Sequence, residues 1–157
     1  MKRIFSVVCA AVLVASASTA YAQSPSEQFG FGASIGWFGA GGHLAYAITP
    51  AIHVGTQFGL DISDGNSDLT FAPYGKFILA GSKELKPFFI GQFIINSNSG
   101  GGDATTGLRF GAGAEYFVSK NLGIFAQIRV LDIPFSPSGS KVAFGIATPA
   151  IGAEWFL

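Results

Sequence analysis

Lys76, Arg109, Glu115, Arg129 and Glu154 are the charges on which any chemistry in this sequence would rest. Each lies in a segment where large apolar side chains occupy every second position, and each falls on the other set of positions. Gln57, Gln92 and Gln127 share that polar face. Both signs on one face allow two uses. One is a buried, fully paired hydrogen-bond network; the other is a polar path for ions. His43 and His53 are the two histidines, and a histidine beside a serine or an acid can act as a general base. Neither has an H-x-S-N context, and two isolated histidines do not make a metal site. Asp61, Asp64 and Asp68 lack the glycine and distal glutamate of a calcium loop. The glycine clusters Gly39-x-Gly41-Gly42 and Gly100-Gly101-Gly102 lack the strand–turn–helix setting of a nucleotide loop and read as turn formers. Gly32-x-x-x-Gly36 would dimerise helices, but it lies in a strand pattern. The residues assign no catalytic group, no metal site and no cofactor.

The elements that carry these charges have a period of 2. Phe29, Phe31, Ala33, Ile35 and Trp37 alternate with Gly30, Gly32, Ser34 and Gly36. Leu44, Tyr46 and Ile48 oppose His43, Ala45 and Ala47, and Thr49-Pro50 ends that ladder because proline donates no hydrogen bond. Ile52, Val54, Phe58 and Leu60 oppose His53, Gly55, Gln57 and Gly59. A fourth strand, 70–80, sets Phe71, Phe77 and Leu79 against Ala72, Tyr74 and Lys76. In the fifth, 87–96, an apolar run hides the alternation, but Gln92 and Asn96 put the even positions on the polar face. Phe110, Ala112, Ala114 and Tyr116 oppose Arg109, Gly111, Gly113 and Glu115; Ile124, Ala126, Ile128 and Val130 oppose Gln127 and Arg129. The last strand changes phase between Phe144 and Ile151, which predicts a bulge near Thr148-Pro149. Loops are expected at 39–42, 61–69, 81–86, 96–106 and 132–141, with short turns at 49–50 and 119–121.

The N-terminus reads as an export signal. Lys2 and Arg3 precede an apolar stretch, 4–15, too short to span a bilayer, and Ala20-Tyr21-Ala22 is an A-x-A cleavage site. Cleavage between Ala22 and Gln23 divides the chain into a signal peptide, 1–22, and a mature domain, 23–157, of 157 less 22, or 135, residues. Cys9 sits inside the apolar stretch rather than after it, which argues against a lipid anchor. It is also the sole cysteine, so the mature domain has no disulfide framework. Removing Lys2 and Arg3 from nine basic residues leaves seven against nine acidic, and no basic patch for nucleic acid.

Charged residues make up 11% of the chain, and no run of about 18 apolar residues follows the signal. A chain this apolar without a spanning helix fits a closed barrel, which satisfies every backbone hydrogen bond within lipid. Eight strands fit into the mature domain. The fold class expected is all-β: an eight-stranded antiparallel up-and-down transmembrane β-barrel. A soluble lipocalin-like barrel would invert the faces, with an apolar lumen and a charged exterior. Trp37, Tyr46, Tyr116 and Trp155 are expected as membrane-interface aromatics. Inside, Arg109 and Arg129 should lie high and draw an acid such as Asp61. Lys76 should pair lower down with Glu115 or Glu154, with Gln57, Gln92 and Gln127 bridging between levels.

Phe71-x-Pro73-Tyr74-x-Lys76, Leu85-Lys86-Pro87-Phe88, Gly111-x-Gly113-x-Glu115-Tyr116 and Gly152-x-Glu154-Trp155-Phe156-Leu157 resemble the outer-membrane β-barrel superfamily of OmpA- and OmpX-type proteins, over about residues 28–157. The resemblance implies residence in a Gram-negative outer membrane among lipid and lipopolysaccharide, and delivery by the barrel assembly machinery. Family barrels typically end in an aromatic residue; here Phe156 precedes Leu157. The expected role is non-catalytic, either structural or surface interaction with an extracellular ligand through the loops, by a monomer. A narrow porin-like channel is the alternative, and a lipid-modifying enzyme the third reading. If the leader is cut as read, N-terminal sequencing of protein from outer-membrane fractions finds Gln23 first; a lipid-modified Cys9 would overturn this.

Overall fold

A computed structural model describes residues 25–37, 39–63, 66–98, 104–136, 142–144 and 148–157. The expected signal peptide and its cleavage site, Ala22 and Gln23, lie outside the described residues. The strands are β1 (Gln28–Gly36), β2 (Gly39–Thr49), β3 (Ile52–Ser63), β4 (Asn66–Ile78), β5 (Leu85–Asn98), β6 (Thr105–Phe117), β7 (Leu122–Ser136), β8 (Ala143–Phe144) and β9 (Pro149–Phe156). Consecutive strands pair antiparallel from β1 to β7, and β9 joins β7 to β1, closing the ring. β8 and β9 both pair with β7, so they are two pieces of one eighth strand. The fold is an eight-stranded antiparallel up-and-down transmembrane barrel.

Alternation sets the facing as read. Phe29, Phe31, Leu44, Phe89, Ile124 and Trp155 are exposed on the outside, whereas His53, Lys76, Gln92, Glu115 and Glu154 are buried inside. Phe89 and Phe93 point out and Phe88 and Ile90 point in, so the even positions of β5 do face the lumen. Phe29 and Tyr46 stack at 4.7 Å near the end where the termini lie, on the same outer surface as Tyr116 and Trp155. An aromatic girdle of this kind marks a membrane interface.

The loops differ from expectation. Strand pairing runs through 61–69: Asp61 pairs with Asp68 and Ser63 with Asn66, leaving only residues 64–65 between the strands. Asp64-Gly65 is a strong hairpin signal, and the polar composition around it masks the continuing alternation of Leu60, Ile62 and Leu69. The segment 39–42 is not a loop but the start of β2; Gly36 pairs with Gly39, which leaves residues 37–38 between the strands. Gly36 and Gly39 have φ of 138° and 70°, where a side chain would be strained. The expected loops 96–106 and 132–141 contract to 99–104 and 137–142, because β5, β6 and β7 extend beyond their apolar cores. The connection 79–84, at the opposite end, is as long as 99–104.

One irregularity positions the site. Gly111 pairs with Arg129 but Phe110 pairs with Leu131, so Val130 is an extra residue in β7. A bulge of this kind flips the facing beyond it and turns Asp132 inward with Arg129. The eighth strand follows: Pro149 pairs with Ile128 and Phe144 with Leu131, and Phe144 is 80% exposed. Phe144 and Ile151 both face outward, so the eighth strand changes phase between them as expected; residues 145–147 lie outside the described residues.

The facing has an energetic consequence. Ala112, halfway along β6, points outward between Phe89 and Ile128. Ala112→Arg should cost about 2–4 kcal/mol in urea titrations from lipid vesicles, and Ala112→Leu almost nothing. A neutral Ala112→Arg would mean that this face does not meet lipid.

Candidate functional site: a two-tiered lumen

Eight strands enclose a space that packed side chains can just fill, and this lumen is filled in layers. At the termini end lies an apolar floor of Ala47, Ile78, Phe117 and Phe156, all buried. The alternation marks these positions as inward, but a reading centred on charge passes over them. The inward glycines make room for their larger neighbours. A methyl group on Gly55 would strike the Tyr74 ring, on Gly152 the Phe125 ring, and on Gly123 the Glu115 carboxylate.

Above the floor sits the lower ionic tier. The Lys76 ammonium donates to Glu115 Oε2 at 3.0 Å and to Glu154 Oε2 at 2.5 Å. Three strands, β4, β6 and β9, supply these groups, and none is more than 3% exposed. The Tyr74 hydroxyl donates to Glu154 Oε1 at 3.2 Å, and His43 Nε2 lies 3.2 Å from the same oxygen. The ammonium also faces the Phe88 and Phe125 rings at 5.4 and 5.8 Å, within cation–π range. Ions buried this deeply are tolerated only when paired and hydrogen-bonded, and breaking one pair strands its partner. His53 packs edge-on to Phe156 at 5.4 Å. Lys76 thus meets both of its expected partners, Glu115 and Glu154, at one point of the lumen.

Two of the three glutamines bond to each other: Gln92 Nε2 donates to Gln57 Oε1 at 2.5 Å. Gln127 is buried opposite Gly113 and Ala150.

The upper tier departs further from expectation. Arg109 donates to both oxygens of Asp132, from Nε at 2.8 Å and Nη2 at 3.1 Å. Arg129 donates to Asp132 Oδ2 at 3.1 Å and to the Thr148 hydroxyl at 2.9 Å. Asp61 is not the partner. It is exposed at the rim opposite Asp68, and Asp132 takes its place because the Val130 bulge turns a residue expected in a loop into the lumen. Trp37 is likewise not an interface aromatic. It leaves the end of β1, crosses the lumen and donates from Nε1 to the Thr148 carbonyl at 2.7 Å. Arg109 lies 5.8 Å over its ring, and the bare Gly111 accommodates its edge. Strand alternation places Trp37 on the outer face, but β1 ends at Gly36, so the alternation does not reach it.

No protein-family model matches the chain, and no curated protein does. Solved structures do. The N-terminal β-barrel domain of Pseudomonas aeruginosa OprF aligns with a TM-score of 0.65 at 14% identity, over 84% of this chain and 98% of that one. A de novo designed transmembrane β-barrel aligns at 0.58 with 18% identity, over 85% and 98% of the two chains. The solution structure of the designed barrel TMB2.3 aligns at 0.50, also with 18% identity, over 82% and 93%. At these identities the likeness shows the fold alone, that of a small transmembrane β-barrel, so the lumen has to be understood from its own side chains. Glu154→Ala would leave Lys76 buried with one carboxylate and should cost about 3–5 kcal/mol in urea unfolding. Asp132→Ala, among arginines that water reaches, should cost less. Equal losses would mean that the lower tier is not the stronger one.

Proposed function

We propose that this protein is a non-catalytic, structural barrel of a Gram-negative outer membrane, exported by a cleaved signal peptide and sealed against solutes. One observation carries the reading: an apolar floor, a buried ion triad, a glutamine pair and a Trp–Arg–Asp cap fill the lumen. The void found in the lumen is about 10 Å³, room for one water molecule. Burial of both histidines, at 3% and 0% exposure, supports a role without catalysis, since neither is open to a lipid headgroup. The partners proposed are outer-membrane lipid and lipopolysaccharide on the outer face and the barrel assembly machinery during insertion. Surface interaction would be confined to the tips 64–65, 99–104 and 137–142, and the barrel would act as a monomer.

The narrow-channel reading separates from this one in a planar bilayer. The refolded protein should give no stepwise conductance above the bare membrane. Steady unitary steps would favour the channel.

A further inference from the structure

Three described residues precede β1, and they are not placed like a fraying end. Pro25 is buried, although Ser26 and Glu27 after it are exposed. Glu27 has a φ of 55°, the only positive value at a non-glycine residue among those described. Such a backbone crowds its own side chain and persists only where the surroundings hold it. Both flanks of the turn are held. The Glu27 N–H donates to the Ala47 carbonyl at 2.6 Å, which ties the turn to β2. Beyond the turn, the Pro25 carbonyl lies beside the His53 imidazole of β3. Neighbouring strands are about 4.8 Å apart, so β1 to β3 is about 10 Å, a span that the three steps from Gln28 back to Pro25 can cover. The left-handed turn therefore carries the chain off the wall and across the foot of β2. At that place lie Ala47, paired with both Gln28 and His53, and Phe156, packed against the His53 ring. His53 itself is 0% exposed and takes no part in the ion triad.

We propose that Pro25–Glu27 is a strap that latches across the termini end of the lumen, with His53 as its seat. The strap covers the apolar floor from outside, and lifting it bares Ala47, His53 and the Phe156 ring to water. Because it runs from the start of β1 past β2 to β3, it also clamps the strand that closes the ring against β9. The strap does not depend on whether the lumen conducts, so a planar-bilayer result that sank the sealed barrel would leave it standing.

The Glu27 amide reports on the latch without any substitution. In the full chain refolded into lipid vesicles it should resist deuterium exchange as the strand amides do, whereas a fraying end exchanges like unfolded chain. Exchange at the unfolded-chain rate would overturn the strap. A thiol tests the cover. In a Cys9→Ser background, Ala47→Cys reports on the floor, and Ala72→Cys, equally buried on β4, is the control. Iodoacetamide should alkylate both slowly. Pro25→Lys sets a cation beside His53, whose cross-strand neighbour is Lys76, and should lift the strap. The Ala47→Cys thiol should then react about tenfold faster, equivalent to roughly 1.4 kcal/mol of lost closure, with Ala72→Cys unchanged. Glu27→Val, whose branched side chain cannot hold the left-handed turn, should act likewise, and Glu27→Gly should not. Where Ala47→Cys does not fold, the residue 27 amide replaces it, exchanging fast in Glu27→Val and slowly in Glu27→Gly. No acceleration at Ala47→Cys in either lifting variant would overturn the cover. Equal acceleration at both thiols would show a barrel loosened as a whole, with no strap over its floor.

Discussion

An ammonium sealed among two carboxylates and two aromatic rings is the constraint on which the rest of this barrel depends. Lys76 cannot remain charged in the interior without Glu115 and Glu154, and these come from strands that meet in the lumen only when the sheet has closed. The triad therefore couples closure to register. A one-residue slip of β4, β6 or β9 would turn its charge toward lipid and leave the other two unpaired. Lipid contributes little to specificity, since any apolar side chain suits the outer face. Specificity has to come from within.

The remaining layers follow from that demand. Gly123 is bare where the Glu115 carboxylate lies, Gly55 where Tyr74 reaches toward Glu154, and Gly152 where Phe125 turns its face to the ammonium. Glycine weakens a strand, so its abundance on the lumen face has a cost that the packing of larger neighbours offsets. The upper tier obeys the same rule by another device. Two arginines need a shared acid, and a single bulge at Val130 turns Asp132 inward to supply it.

Much of this could be read in the residues. A period of 2 gives the facing of a strand directly, so Lys76, Glu115 and Glu154 could be placed on one surface, and counting strand ends put them at one height. The phase change between Phe144 and Ile151 likewise pointed to a bulge. What stayed hidden depends on departures from periodicity or on groups far apart in sequence. Asp132 looked like loop because a bulge looks like the end of a strand. Asp61–Asp68 looked like loop because rim positions are polar even while the ladder continues. Trp37 alternated perfectly with Gly36 and still turned inward, because its partner Thr148 lies 111 residues away. The apolar floor was hidden for the opposite reason: Phe117 and Phe156 look no different from residues that face lipid.

If the buried triad holds the barrel closed, Lys76 and Glu154 stabilise it as a pair rather than as two independently placed polar groups. A double-mutant cycle with Lys76→Met, Glu154→Gln and the combined variant, read by urea unfolding in lipid vesicles, measures that coupling directly. The double variant should be more stable than the sum of the single losses implies, by about 1–3 kcal/mol. Additivity within about 0.5 kcal/mol would contradict it, because the two side chains would then be neighbours without being partners.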